Sequence, residues 1–169
     1  MPYKINISDR NTLSTNVMNH MNPISFKMTV DRLKYPNVDY TVQTLALPDI
    51  SLPPAPIQSP LRRFGMPGDK IEYSPLSLTF LIDEDMINYK EIHDWILEQI
   101  TEVDDTRKNR KTRDLTLSIM TSHNNVTRQL QFIDAYPISL SSLPFDVTIT
   151  DVQYLTAEVT FEYTYYKFL

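Results

Sequence analysis

Cysteine is absent from the 169-residue sequence, and glycine occurs only twice. Without cysteine the chain has no disulfides and no thiolate metal sites, which fits a reducing compartment. The two glycines, Gly65 and Gly68, do not open a helix. Glycine-rich phosphate-binding loops need several glycines at fixed offsets, so nucleotide binding by such a loop is not expected.

Long apolar runs and an excess of positive charge are also missing. No apolar run reaches the length that crosses a bilayer, and residues 1–11 lack the apolar centre of a signal peptide, so we expect neither a membrane anchor nor secretion by that route. The formal net charge of −5 argues against an ordinary nucleic-acid-binding protein. Apolar residues make up 41% of the chain, enough for the core of one domain over residues 1–169.

Alternation of apolar and polar residues predicts a mainly β, antiparallel, sandwich- or barrel-like fold. Residues 1–22 lack such a period and are expected to be a flexible N-terminal arm. A turn is predicted at residues 123–125, between the strands of a hairpin. The predicted strands lie at residues 24–30, 38–47, 71–83, 115–122, 126–140 and 156–165.

One segment, NYKEIHDWILEQI at residues 88–100, has the period of a helix. Its apolar residues recur every three or four positions, with Trp95 beside them, which predicts a one-sided helix that covers a sheet. Asn88 is the predicted N-terminal cap. The apolar stripe consists of Tyr89, Ile92, Ile96 and Ile100.

Residues 48–70 contain six of the twelve prolines and are predicted to form a long, stiff, extended loop. Two interpretations stay open, namely a loop folded over its own domain and an arm that docks on another subunit. Apolar side chains punctuate this segment at Ile50, Leu52, Ile57, Leu61, Phe64 and Met66.

No residue pattern indicates catalysis, a metal site or a cofactor. The histidines at positions 20, 93 and 123 share no ligand spacing. The acidic residues 83–85 precede the helix, where negative charge is favourable. The basic residues of segment 107–113 are interpreted as a solvated loop, because acidic residues flank them and no aromatic residues interleave them.

The last predicted strand has one polar and one apolar face. Such a polar face is typical of a solvated β surface and also of a water-filled channel, where carboxylates repel DNA phosphates. Its polar face would carry Thr156, Glu158, Thr160, Glu162 and Thr164, and its apolar face Ala157, Val159, Phe161, Tyr163 and Tyr165.

Three stretches in order resemble the tail tube proteins of contractile-tailed bacteriophages and the related baseplate proteins that initiate the tube. They are TLALPDISLP (44–53), SLTFLIDEDMINYKEIHDWI (77–96), and YPISLSS (136–142) followed by AEVTFEYTYYKF (157–168). The resemblance covers residues 24–168 and contains no catalytic signature.

This resemblance implies a protomer with one outer helix that contributes strands to a large barrel shared by a hexameric ring. Rings would stack into the tube through which DNA is ejected, and the apolar residues of segment 48–70 would contact the adjacent ring. Lys90, Asp94 and Glu98 would face the tail sheath, and Glu158 and Glu162 are candidate lumen residues.

The implied partners are further copies of the chain, the sheath, and baseplate or tail-terminator proteins, with genomic DNA passing without specific binding. The implied location is the virion tail, assembled in the host cytoplasm.

Two other functions stay open at this point. The motif around residues 88–96 is also similar to that of baseplate tube-initiating proteins, although those are usually longer. A monomeric β-barrel that binds a small apolar ligand would use the ten tyrosines, but it would not need the proline-rich segment.

Overall fold

The computed structural model describes residues 21, 23–30, 41–58, 63–101, 111–121, 123–148, 150 and 153–169. This part of the chain is mainly β with one helix, as predicted. No helix within it is long and apolar enough to cross a membrane. Its elements are β1 (Phe26–Thr29), β2 (Val42–Leu45), β3 (Ile50–Ser51), β4 (Ala55–Gln58), β5 (Arg63–Met66), β6 (Glu72–Tyr73), β7 (Leu76–Leu81), α1 (Ile87–Thr101), β8 (Arg113–Met120), β9 (Val126–Leu140), β10 (Thr156–Glu162) and β11 (Tyr165–Phe168).

The main sheet is antiparallel and has the strand order β1-β8-β9-β10-β7-β2, with β11 beside β9. The long strand β9 divides it into two parts. We call β1, β8, β11 and the first part of β9 sheet I. Sheet II consists of residues 136–140 of β9 with β10, β7 and β2.

Two neighbouring irregularities mark the junction of the sheets. Asp134 has a φ of 55°, a conformation that Asp tolerates better than most residues. Opposite Asp134, strand pairing is interrupted between β10 and β11. It then resumes along β9 in the same register. The alternation of buried and exposed side chains therefore changes phase between β10 and β11, and Tyr165 is 42% exposed. The prediction that Tyr165 continues the apolar face was wrong for this reason.

One continuous core contains side chains from both sheets and from the helix. Trp95 lies at its centre, where its ring centroid is 5.6 Å from that of Phe161 and its indole N–H donates to the carbonyl of Lys111 at 3.0 Å. The helix predicted at residues 88–100 is confirmed. The hairpin of β8 and β9 has its turn at the predicted residues, closed by a 2.8 Å bond from Thr121 N to Asn125 O.

Asn88 accepts the backbone N–H of Tyr89 on its side-chain oxygen at 2.8 Å and so satisfies one donor of the first turn, but it is not the N-cap residue, because the helix begins one residue earlier at Ile87. The side chain of Asn88 is fully buried, and the amide nitrogen donates to the carbonyl of Leu81 at 2.6 Å and to the hydroxyl of Thr41 at 3.3 Å. Sequence reasoning assigned a local role to this residue because Asn is common at helix starts. In the fold it ties the helix to the end of sheet II.

Trp95→Ala should lower the free energy of unfolding by about 3–5 kcal/mol, because it leaves a large cavity in the core. Trp95→Phe should cost less, since a ring still packs on Phe161 while the bond to Lys111 is lost. Urea denaturation of both variants measures the difference. A cost near zero for Trp95→Ala would show that the indole is not packed in the core.

Candidate assembly surfaces

A β-hairpin extends from one end of sheet II. Beyond the β2–β7 pair, Ser74 N donates to Asp49 O at 3.1 Å, and β3 pairs with β6 in the same register. The pair β4–β5 continues this hairpin outward. We call residues 48–74 the arm. The sequence predicted a loop here, and it missed the strand pairs because proline depresses the β signal.

Both glycines of the chain lie in the arm, opposite prolines. Gly65 pairs with Pro56, and a Cβ atom at Gly65 would lie 3.0 Å from the Cβ of Pro54. A Cβ atom at Gly68 would overlap the carbonyl oxygen of Pro53. These glycines therefore allow the two sides of the arm to approach closely.

The base of the arm is held by an aromatic cluster. The ring centroid of Tyr73 lies 6.0 Å from that of Tyr163 and 5.6 Å from that of Tyr166. The hydroxyl of Tyr163 donates to the carbonyl of Ser74 at 2.9 Å. Burial raises the pKa of Tyr163 to about 12. The arm is thus connected to the β10–β11 junction as well as to sheet II.

Several of the arm residues singled out from the sequence expose apolar surface. Ile50, Leu52 and Met66 are 53%, 48% and 51% exposed. Ile57 and Phe64 form a backbone pair between β4 and β5. Leu61 and the side chains of Ile57 and Phe64 lie outside the described part of the structure. The arm therefore presents apolar side chains to solvent from its base outward.

The second candidate surface is one face of sheet II, which is rich in hydroxyl groups. Glu158 is exposed and pairs with Thr79, and its backbone N–H donates to the hydroxyl of Ser141 at 2.8 Å. The hydroxyls of Ser77 and Thr160 lie 3.3 Å apart. This polar face also contains Thr44, Ser139, Thr156 and Glu162. None of these side chains is basic.

The helix lies on the other side of sheet II. Phe161, which contacts Trp95, is buried and points away from the side of its neighbours Thr160 and Glu162. Glu158 is exposed and Glu162 half-buried on the polar face. The structure thus brings the two predicted lumen residues together on the face opposite the helix.

The predicted sheath-facing residues are not equivalent. Lys90 and Asp94 are exposed on the outer side of the helix, beside the equally exposed Leu97. Glu98 is half-buried, and its carboxylate lies 3.8 Å from the ammonium group of Lys111. Its side chain is therefore turned toward the chain that follows the helix rather than along the outer face.

Both lateral edges of sheet II are open within the described residues. On the sides away from β7 and β10, neither β2 nor residues 136–140 of β9 pair with another described strand. The four strands are antiparallel, so these two edges run in opposite directions. Beside the β9 edge lies a groove of about 380 Å³, lined by Ile96, Gln99, Ile100, Tyr136 and Pro137.

Metal chemistry finds no support in the described residues, where no three His, Asp or Glu side chains are grouped to hold an ion. His93 and His123 are exposed, and His20 lies outside the described part. Of the basic run at 107–113, only residues 111–113 are described. The candidate sites within the described residues are therefore exposed surfaces and strand edges.

Comparison with protein families identifies the class of protein that has this architecture. A sequence model of phage tail tube proteins matches residues 2–169. The chain belongs to the phage tail tube protein family, and it is a structural protein of a tail tube. The match extends over nearly the whole chain, including the N-terminal region that the resemblance did not cover.

Solved structures share the fold at low sequence identity. The sheath/tube terminator of the extracellular contractile injection system PVC is 19% identical with a TM-score of 0.68, over 90% of this chain and 99% of that chain. The PVC sheath–tube complex gives 17% and 0.65 over 98% and 99%. Hcp1 from Flavobacterium johnsoniae gives 14% and 0.54 over 85% and 94%. Comparison with curated protein sequences gives no significant match.

Tyr163→Phe should lower the free energy of unfolding by about 1 kcal/mol, because it removes the bond to Ser74. Tyr165→Phe, at an exposed position, is the matched control. The pKa of Tyr163 is raised from 10 to about 12 in the folded protein. The contribution of Tyr163 to the free energy of unfolding is therefore complete below about pH 10 and is lost as the pH rises through 12. Urea midpoints between pH 8 and 11 should fall more steeply for the wild type than for Tyr163→Phe.

Proposed function

We propose that six copies of this chain join their sheets II edge to edge into a ring, and that rings stack into the tube of a contractile tail. The observation that carries the proposal is a four-stranded antiparallel sheet whose two edges run in opposite directions and pair with no other described strand. When the β2 edge of one copy pairs with the β9 edge of the next, the strands at each contact between copies are antiparallel. Such head-to-tail contacts form a closed ring when the rotation between copies closes.

An open edge is a strand-pairing hazard unless another chain covers it. Ring closure satisfies the unpaired backbone groups of both edges at once. It also places a neighbouring copy beside the groove at Ile96 and Ile100, where apolar side chains of the helix meet solvent. The ring thus removes exposed backbone and apolar surface together.

In this ring the polar face of sheet II lines the channel, and the helix lies outside. The face supports this arrangement because its described residues combine small hydroxyls with Glu158 and Glu162 and include no basic side chain. Carboxylates repel phosphates, so genomic DNA passes without being held. The outer helix face with Lys90 and Asp94 contacts the sheath. Glu98 instead pairs with Lys111 in the chain that follows the helix.

The arm joins successive rings, and baseplate and terminator proteins close the ends of the tube. The chain acts in the virion tail, has no catalytic role, and assembles in the host cytoplasm. Similar folds in a sheath–tube complex, a tube terminator and a baseplate of contractile injection systems support these partners.

Negative-stain microscopy of the concentrated protein tests the ring and the arm together. The wild type should form rings with a central hole and stacks of them. Deletion of residues 53–64 should leave the melting temperature nearly unchanged, because the anchor at Tyr73 and Ser74 remains, but it should stop growth at single rings. A protein that stays monomeric and never joins tubes contradicts the proposed ring. A deletion that unfolds the domain contradicts the assembly role proposed for the arm.

Glu158→Lys should produce tubes that hold short duplex DNA inside, where nuclease cannot reach it. The retained fraction should fall as salt rises, because bound phosphates are replaced by counterions. Asp94→Lys makes the same charge change on the outer helix and is the matched control, expected to hold no protected DNA. Equal behaviour of the two variants would show that Glu158 does not line the channel.

A further inference from the structure

The loop between β9 and β10 presents an exposed apolar turn. Phe145 is 74% exposed and Val147 is completely exposed. Between them, the carboxylate of Asp146 accepts bonds from Thr148 N at 2.8 Å and from the Thr148 hydroxyl at 2.7 Å, which lower the pKa of Asp146. The turn therefore holds its shape without burying its apolar side chains. We call Phe145 and Val147 the knob.

The knob and the arm leave sheet II at opposite ends. The loop that carries the knob connects the end of β9 to Thr156, the first residue of β10, which pairs with Leu81 at the last position of β7. The arm connects the end of β2 to the start of β7. Because β7 runs from one end of the sheet to the other, the points at which the two segments leave the sheet are separated by its full length.

The arm is long enough to reach a neighbouring ring. At about 3.3 Å per residue, the six residues of β7 span about 20 Å, whereas the thirteen residues 46–58, which follow β2, would span about 43 Å when fully extended. A fully extended arm would therefore reach beyond the end of its own sheet by more than the length of β7. Its exposed residues Ile50, Leu52 and Met66 lie along this projection.

We propose that the arm of each copy docks on the knob of a second copy in the next ring, so that rings join arm to knob. This inference rests on the proposed function and adds the receiving surface. Both surfaces are apolar, both are exposed in the single chain, and both are built from ordered backbone, through strand pairs in one and the Asp146 turn in the other. Docking removes both from water.

The contact is directional. An arm-to-knob contact uses two different surfaces and leaves a free arm at one end of the stack and a free knob at the other, so growth does not end by itself. Contacts of arm with arm or of knob with knob would pair rings face to face. The tube therefore has a defined polarity, with all arms pointing one way.

Mixing two defective proteins tests this arrangement. The arm variant is Leu52→Ser with Met66→Ser, and the knob variant is Phe145→Ser with Val147→Ser. The control variant, Ile87→Ser with Leu97→Ser, removes as many exposed apolar side chains from the outer helix face. All three should keep the wild-type melting temperature, because the substituted side chains are exposed.

Electron microscopy and analytical ultracentrifugation should show single rings for the arm variant alone and for the knob variant alone. An equal mixture should give stacks of two rings and no longer ones, because only the intact arm of the knob variant and the intact knob of the arm variant remain. The control variant should form tubes of normal length.

Two-ring stacks from either variant alone would overturn the proposal in favour of face-to-face contacts. Full-length tubes from either variant would show that the arm–knob contact is not what joins rings. Single rings in the mixture would show that arm and knob do not meet each other. If the wild type forms no rings at all, the proposed function itself fails, and that result is distinct from rings that form but do not stack.

Discussion

The packing of Trp95 against Phe161 determines which side of sheet II faces water. It seals one face of the sheet under the helix and leaves the other, with Glu158 and Thr160, to solvent. The ring proposed above uses this solvated face, and the Trp95–Phe161 contact fixes which face that is.

The protomer leaves several interactions incomplete by itself. Two strand edges of sheet II have no partner among the described residues, and apolar side chains are exposed on the arm and at the knob. Each of these features would be a liability in a monomer. They occur at different places around the sheet, at its sides and at its ends, and this distribution is what a repeating assembly in two directions requires. The prolines of the arm limit unwanted strand pairing in the meantime, since they cannot donate to a ladder.

Prediction from the sequence succeeded where the spacing of apolar residues matches the period of a helix or a strand, because that spacing reflects which side chains are buried. The helix was recognisable because Ile92, Trp95 and Ile96 repeat at helical spacing, and β7 because Leu76, Leu78 and Phe80 alternate. It failed where distant residues set the structure. The phase change at Asp134 depends on the neighbouring β10–β11 break, the arm ladder depends on pairing across prolines, and Glu98 is turned by Lys111. The knob was missed because nothing in the sequence distinguishes an exposed Phe145 from a buried one.

The sequence by itself determined the mainly β character, the single helix and the absence of a recognisable catalytic pattern, because these depend on residue type and on local period. Its likeness to tail tube proteins rests on the same local patterns. Only the tertiary structure decided that Glu158 lies opposite the helix, that the edges of sheet II run in opposite directions, and that the arm and the knob lie at opposite ends. These relations join residues far apart in the chain, and they arise from strand order and register, which no local pattern encodes.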